Sequence, residues 1–157
     1  MKKHFTDEEL QVINQAHEIL KSKARNSDAI TNPELAAALF KTQIETSSRE
    51  IFCVALLDNQ HRLLESVELF YGTINEAKVY PREVVKLVLD YNANCVLLAH
   101  NHPSGIVEPS PADKAITQRL AQALDLIDVK ILDHIIIGSG IDSSSKGYAS
   151  FAERGLI

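Results

Sequence analysis

The chain has 157 residues, of which 45% are hydrophobic, and a formal net charge of −5. That length is one domain's worth and enough to bury a core, while no apolar run approaches the ~18 residues that span a bilayer. Met1-Lys2-Lys3-His4-Phe5-Thr6-Asp7-Glu8 has no apolar segment behind its lysines, so it does not read as a secretion signal. Cys53 and Cys95 lie in apolar runs and read as small buried hydrophobes, with no disulfide framework. A reduced, cytoplasmic setting is expected. Residues 1–49 hold seven Lys or Arg and seven Asp or Glu, whereas residues 50–157 hold nine and fourteen. Affinity for nucleic acid comes mainly from basic groups neutralising phosphates. With no basic stripe, strong DNA binding is not expected.

Thr6-Asp7-Glu8-Glu9 reads as a capping box, followed by the stripe Leu10, Ile13, Ala16, His17 and Leu20 of a helix that fades near Arg25-Asn26-Ser27. Asn32 and Pro33 fit the cap and first position of a second helix through Leu35, Ala38 and Leu39. Glu50–Leu57 and Leu63–Tyr71 read as a hairpin turning at Asp58-Asn59-Gln60, its second strand closed by Gly72-Thr73. Pro81 opens a helix with Val84, Val85, Val88 and Leu89 inward, ending by Asn92. Cys95-Val96-Leu97-Leu98-Ala99 is a buried strand, and Pro111–Leu126 a helix with Ile116, Leu120, Ala123 and Leu124 inward. Val129–Ile137 is another strand, stopped by Gly138-Ser139-Gly140. After the loop Asp142-Ser143-Ser144-Ser145-Lys146-Gly147, which could cover a site, a short last strand and a turn from Ser150 follow. The mixed order predicts an α+β fold, layered α-β-α around a mixed sheet. Residues 1–48 form an N-terminal helical extension and 49–157 the main domain. His4, His17 and His61 read as surface or helix-face residues.

The informative segment is Leu98-Ala-His-Asn-His-Pro-Ser-Gly-Ile-Val-Glu-Pro-Ser-Pro-Ala-Asp113. His100 and His102 leave a purely apolar strand, and residues i and i+2 of a strand share one side. Asp113 stands in the first turn of the following helix, near enough to fold back over them. Two His and one Asp with an open fourth position suit catalytic zinc. Each feature also has a plainer reading. Ser110-x-x-Asp113 is a capping box with Pro111 at the first helical position, and a lone His-x-His in a strand is usually surface or packing. The apolar strand favours the metal reading, because polar groups are costly there. Asn101 points to the other face and reads as structural. Asp133-His134 precedes an apolar run, so one of the two faces the core. A buried partner of the site fits better than a fourth ligand, since catalytic zinc keeps a position open.

The spacing His100-Asn101-His102, seven residues, Ser110, two residues, Asp113 resembles the JAMM motif of MPN-type zinc metallopeptidases. The wording His-Asn-His-Pro-Ser-Gly then Pro-Ser-x-x-Asp is similar to the RadC family within that superfamily. The likeness continues in Arg49-Glu50-Ile51-Phe52, Leu69-Phe70-Tyr71-Gly72-Thr73, Tyr80-Pro81-Arg82-Glu83, Leu132-Asp133-His134-Ile135-Ile136-Ile137-Gly138 and Ser150-Phe151-Ala152-Glu153-Arg154-Gly155-Leu156. It departs at Ile106-Val107-Glu108, where Asp-Pro and one further residue are usual. Residues 1–48 also show no helix-hairpin-helix of the kind longer RadC proteins carry. The resemblance implies an MPN/JAB-type curved sheet flanked by helices and a zinc peptidase or isopeptidase acting on a protein or peptide. Its ligands would be His100, His102 and Asp113, its proton shuttle Glu50, and its oxyanion donor Ser110. The residues alone do not rank Glu50 against Glu65 and Glu68. A DNA-repair accessory role and a scaffold without chemistry are the alternatives.

Overall fold

The computed structural model describes residues 5–26, 29–72, 79–139 and 146–157. His4, Ser27, Thr73, Gly140 and residues 142–145 of the loop considered as a cover lie outside them. The described elements are α1 (Asp7–Asn26), α2 (Pro33–Ile44), β1 (Ile51–Leu57), β2 (Leu63–Tyr71), α3 (Pro81–Asp90), β3 (Cys95–Asn101), α4 (Pro111–Asp125), β4 (Lys130–Ile137) and β5 (Tyr148–Ser150). The expected caps form. The Thr6 N–H donates to Glu9 Oε2 at 2.7 Å while Thr6 Oγ1 accepts the Glu9 N–H, and Asn32 Oδ1 accepts the Leu35 N–H at 2.8 Å. In the hairpin, Asp58 Oδ1 accepts the N–H groups of Gln60 and Arg62, closing a turn that holds His61 at φ 60°.

The strands form one sheet in the order β2-β1-β3-β4-β5. Only β3 and β4 run parallel; β1 is antiparallel to both β2 and β3, and β5 to β4. Every residue of β1 and β3 is buried, as expected of central strands covered on both faces. On one face Cys53, Ala55, Leu57, Leu97, Ala99 and Ile135 pack against Ala36, Leu39, Phe40 and Ile44 of α2 and Ala24 of α1. On the other, Phe52, Val54, Leu56, Val96 and Leu98 pack against Val84 and Val88 of α3 and Leu120 and Leu124 of α4. This is the α-β-α layering of an α+β domain, and α2 belongs to its core. Both cysteines are free and buried. Among the described residues no helix is long and apolar enough to cross a membrane.

One inward assignment needs correction. Leu89 is 61% exposed, and Leu87 packs partly against the core in its place. Helical residues turn about 100° each, so the buried stripe centred between Val84 and Val88 leaves Leu89 about 120° away. A run of alternating apolar residues on a short helix did not reveal which side faced in. Leu120→Ala should therefore lower unfolding free energy by about 2–5 kcal/mol, whereas Leu89→Gln should stay within about 0.5 kcal/mol of the parent. Paired denaturant titrations read the difference, and a comparable loss from Leu89→Gln would contradict the orientation of α3.

Candidate metal centre

His100 lies near the end of β3 and His102 just past it, where the His102 N–H still donates to the Ile137 carbonyl at 2.8 Å. Asp113 is the third residue of α4. Strand end and helix start thus face each other, and three donor atoms converge. His100 Nε2 is 3.0 Å from His102 Nε2 and 3.2 Å from Asp113 Oδ1, and His102 Nε2 is 3.5 Å from Asp113 Oδ2. A tetrahedral zinc with bonds of about 2.0–2.1 Å would hold its ligand atoms about 3.3–3.4 Å apart. These approaches reach both Asp113 oxygens; with one ligand atom from each residue, the three lie within 4.8 Å of one another, a group that could close round such an ion. Among the described residues this is the group of His, Cys, Asp and Glu side chains whose donor atoms close round one point.

The ligand atoms are also chemically prepared. A carbonyl oxygen only accepts, so the 2.6 Å contact of His102 Nδ1 with the Ile106 carbonyl places a proton on Nδ1 and turns Nε2 toward the cluster. Asp113 Oδ2 accepts the Ser110 N–H at 2.7 Å, and Ser110 Oγ accepts the Asp113 N–H at 3.1 Å. The capping box and the cluster of His100, His102 and Asp113 therefore share Asp113. Burial holds His100 below its ordinary pKa despite Asp113 beside it. Burial also opposes charge on His102, but Asp113 and the Ile106 carbonyl outweigh it and raise the pKa. Asp113 is 1% exposed. Burial works against its ionisation, yet the two histidines and the Ser110 N–H hold its carboxyl far below the usual range.

Glu50 is half-buried immediately before β1. Phe52 pairs with His100 across the antiparallel β1–β3 ladder, so Glu50 falls at the end of the sheet where His102 emerges. Its charge acts on both histidines in the direction of protonation. Asn101, on the opposite side of β3, fixes that approach. Its Oδ1 accepts the Ile51 N–H at 2.7 Å and its Nδ2 donates to the Arg49 carbonyl at 3.0 Å, the two backbone groups flanking Glu50. Glu65 instead pairs with Lys21 and Arg25 of α1. Glu68 stands opposite Cys53, which belongs to the α1–α2 face. Asp133 and His134 are both buried. Asp133 accepts from the Ser150 hydroxyl and the Ala152 N–H, tying down the C-terminal turn. His134 meets His100 at the ring nitrogen facing away from the cluster, Nδ1, at 2.8 Å, and burial pushes its pKa well down. It is a buried partner of His100 and lies outside the three-residue group.

A layered sheet that brings two histidines and an aspartate together at the end of a central strand defines a JAB-type, or MPN, domain. The chain belongs to the RadC-like JAB domain family, whose model matches residues 30–156. It is 50% identical over 146 residues to a UPF0758 protein of Idiomarina loihiensis, covering 93% of this chain and 62% of that protein. The identity is 49% over 138 residues to a UPF0758 protein of Aeromonas hydrophila, with 88% and 59% covered. A UPF0758 protein of Vibrio cholerae is 47% identical over 150 residues, 96% of this chain and 91% of that one. The chain thus spans about 60% of the length of the first two relatives.

The loop carrying the Ile106 carbonyl rests on Gly138. A methyl group there would stand 2.6 Å from the Gly105 oxygen and 2.6 Å from a Val107 methyl. Only hydrogen fits, so the loop can close against the end of β4 and hold its carbonyl on His102. Gly138→Ala should cost about 1–3 kcal/mol as overpacking and loosen His102. Thermal unfolding and zinc titration of the variant check this; unchanged values in both would show that the loop is not held there.

Proposed function

We propose that the chain is a zinc-dependent amide hydrolase of JAMM type, acting on protein or peptide substrates in the cytoplasm. The observation that carries this reading is the convergence of His100, His102 and Asp113, one ligand atom from each lying within 4.8 Å of the others, with a carboxylate outside the set, Glu50, at the same end of the sheet. His100, His102 and Asp113 would hold the ion. Zinc so bound would lower the pKa of water at its open position toward ~7 and polarise the scissile carbonyl. Glu50 takes the proton from the attacking water and delivers it to the departing amine, so that bond cleavage releases a neutral amine. Ser110 Oγ accepts the Asp113 N–H, which leaves its own proton to donate to the oxyanion developing on the substrate. The Ser110 N–H on Asp113 and the Ile106 carbonyl on the His102 Nδ1–H keep those two residues turned inward.

Purified protein should contain about one zinc per chain, and His100→Ala, His102→Ala or Asp113→Ala should lose most of it. Full occupancy in His102→Ala would refute the assignment. Zinc-free wild type would favour a scaffold that has lost its chemistry.

Glu50→Gln should keep fold and zinc while hydrolysis, assayed on screened peptides and amide-linked conjugates, falls at least ~10²–10⁴-fold. Undiminished cleavage would move the shuttle elsewhere. Ser110→Ala should also keep zinc, lose ~10²-fold or more in rate and about 1 kcal/mol in stability through the lost cap.

The DNA-accessory reading has its own measurement. Duplex or single-stranded DNA should bind at physiological salt no tighter than ~10⁻⁴–10⁻⁶ M, the nonspecific range. Nanomolar affinity would put that reading first.

A further inference from the structure

His134 is fully buried, stacked on Phe151 at 4.7 Å and edge-on to Phe52 at 5.6 Å. A histidine in so apolar a pocket must satisfy both ring nitrogens, and the mechanism above uses neither. Its Nε2 lies 2.8 Å from His100 Nδ1 and its Nδ1 2.6 Å from Thr117 Oγ1, while Thr117 Oγ1 also lies 2.6 Å from the Asp113 carbonyl oxygen. The direction of each bond follows from the carbonyl end. A carbonyl has no proton, so the Thr117 hydroxyl donates to it and spends its single hydrogen there. Thr117 Oγ1 must then accept from His134, which puts the His134 proton on Nδ1. If His134 Nε2 is bare it accepts, and the proton between the rings belongs to His100 Nδ1. Were Nε2 also protonated, His100 Nδ1 would have to accept and its own proton would move to Nε2, among the ligand atoms. A metal on His100 Nε2 requires the first arrangement.

We infer that His134 and Thr117 are positioning residues that lock His100 in its metal-accepting tautomer. They join the two most buried ligands, His100 on β3 and Asp113 on α4, through β4 by one continuous chain of hydrogen bonds. The inference rests on the metal-centre reading for its purpose. The tautomer itself is a property of the metal-free chain. Acceptors of ligand imidazole N–H groups are commonly carboxylates, backbone carbonyls or water. Here a neutral imidazole takes that place, which works only because Thr117 fixes its orientation in turn.

The experiment combines two readouts on the full chain. Long-range ¹H–¹⁵N spectra of imidazole-labelled, metal-free protein should place the His100 proton on Nδ1 in the wild type. In Thr117→Val, with the directing hydroxyl gone, the His134 and His100 signals should shift toward mixed tautomers, and Thr117→Ser should restore them. Zinc titration should show His134→Leu weakened about 10–100-fold. Thr117→Val should be weakened less, and the double variant no more than His134→Leu alone, because Thr117 acts through His134. Circular dichroism and thermal unfolding of each metal-free variant exclude loss of fold, and His134→Gln, which keeps one acceptor and one donor, replaces His134→Leu if the latter does not fold. A His100 proton on Nε2 in the metal-free wild type overturns the inference. So does unchanged zinc affinity in His134→Leu, or additive losses in the double variant. Wild type that binds no zinc overturns the metal reading instead, with the tautomer measurement still standing by itself.

Discussion

A carboxylate that is 1% exposed governs the architecture of the site. Burying an ionised group costs several kcal/mol unless close partners repay it, and Asp113 has several. His100 and His102 approach its oxygens at 3.2 and 3.5 Å, and the Ser110 N–H reaches Oδ2 at 2.7 Å. Its position at the N-terminus of α4 adds the favourable end of the helix dipole. Ser110 is local to α4, but the two histidines come from β3 and the residue after it, so the charge can be buried only if β3, the loop after it and the start of α4 close together. Local order at the site and global packing of the sheet are therefore one requirement.

Topology meets that requirement directly. Parallel neighbours such as β3 and β4 need a crossover between them, and α4 is that crossover. Its first turn consequently lies at the C-terminal end of β3, the end where ligands gather in sheets of this kind and where His100 and His102 emerge. The antiparallel pairing of β1 with β3 supplies the next group. The start of one strand must meet the end of the other, which carries Glu50 to the same edge. Asn101 then stitches the approach to β1 from the far face of β3. One short stretch at the end of β3 and just past it thus supplies two of the three converging side chains on one side and the brace for Glu50 on the other.

Much of this was legible in the residues because the determining signals are short-range. Caps at Thr6, Asn32 and Ser110, the Asp58 turn, and the apolar runs of β1 and β3 all depend on neighbours within a few positions. The His-x-His and Ser-x-x-Asp spacings brought His100, His102 and Asp113 together for the same reason, since strand and helix periods fix which residues share a side. What stayed hidden depends on pairing between distant segments. Glu50, Glu65 and Glu68 are alike as strand carboxylates, and only the register and the ion pairs of Glu65 with α1 separate them. Thr117 was missed, although its spacing of four from Asp113 puts both on one helical face. Its partner is in β4, and nothing in the helix sequence announces that. Leu89 misled because a short amphipathic helix has an ambiguous face until its neighbours are known.

The two readings of Ser110-x-x-Asp113, the observed cap and the proposed metal site, draw on the same residues. A carboxylate facing a metal can bind through one oxygen or both. Here Oδ2 is engaged by the Ser110 N–H, while Oδ1 is the oxygen 3.2 Å from His100 Nε2. The cap therefore biases Asp113 toward a single ligand atom. With one atom from each of three residues, a tetrahedral ion would retain a position for water, which the proposed hydrolysis needs and which a second oxygen from Asp113 would crowd. The same reasoning explains the serine. Its backbone N–H holds the carboxylate and its Oγ accepts from the helix, which leaves its hydroxyl proton for the oxyanion role proposed above. Helix capping and the placement of the carboxylate thus share the same backbone and side-chain atoms: replacing Asp113 removes both, whereas replacing Ser110 removes its side-chain cap and leaves its backbone N–H on Oδ2.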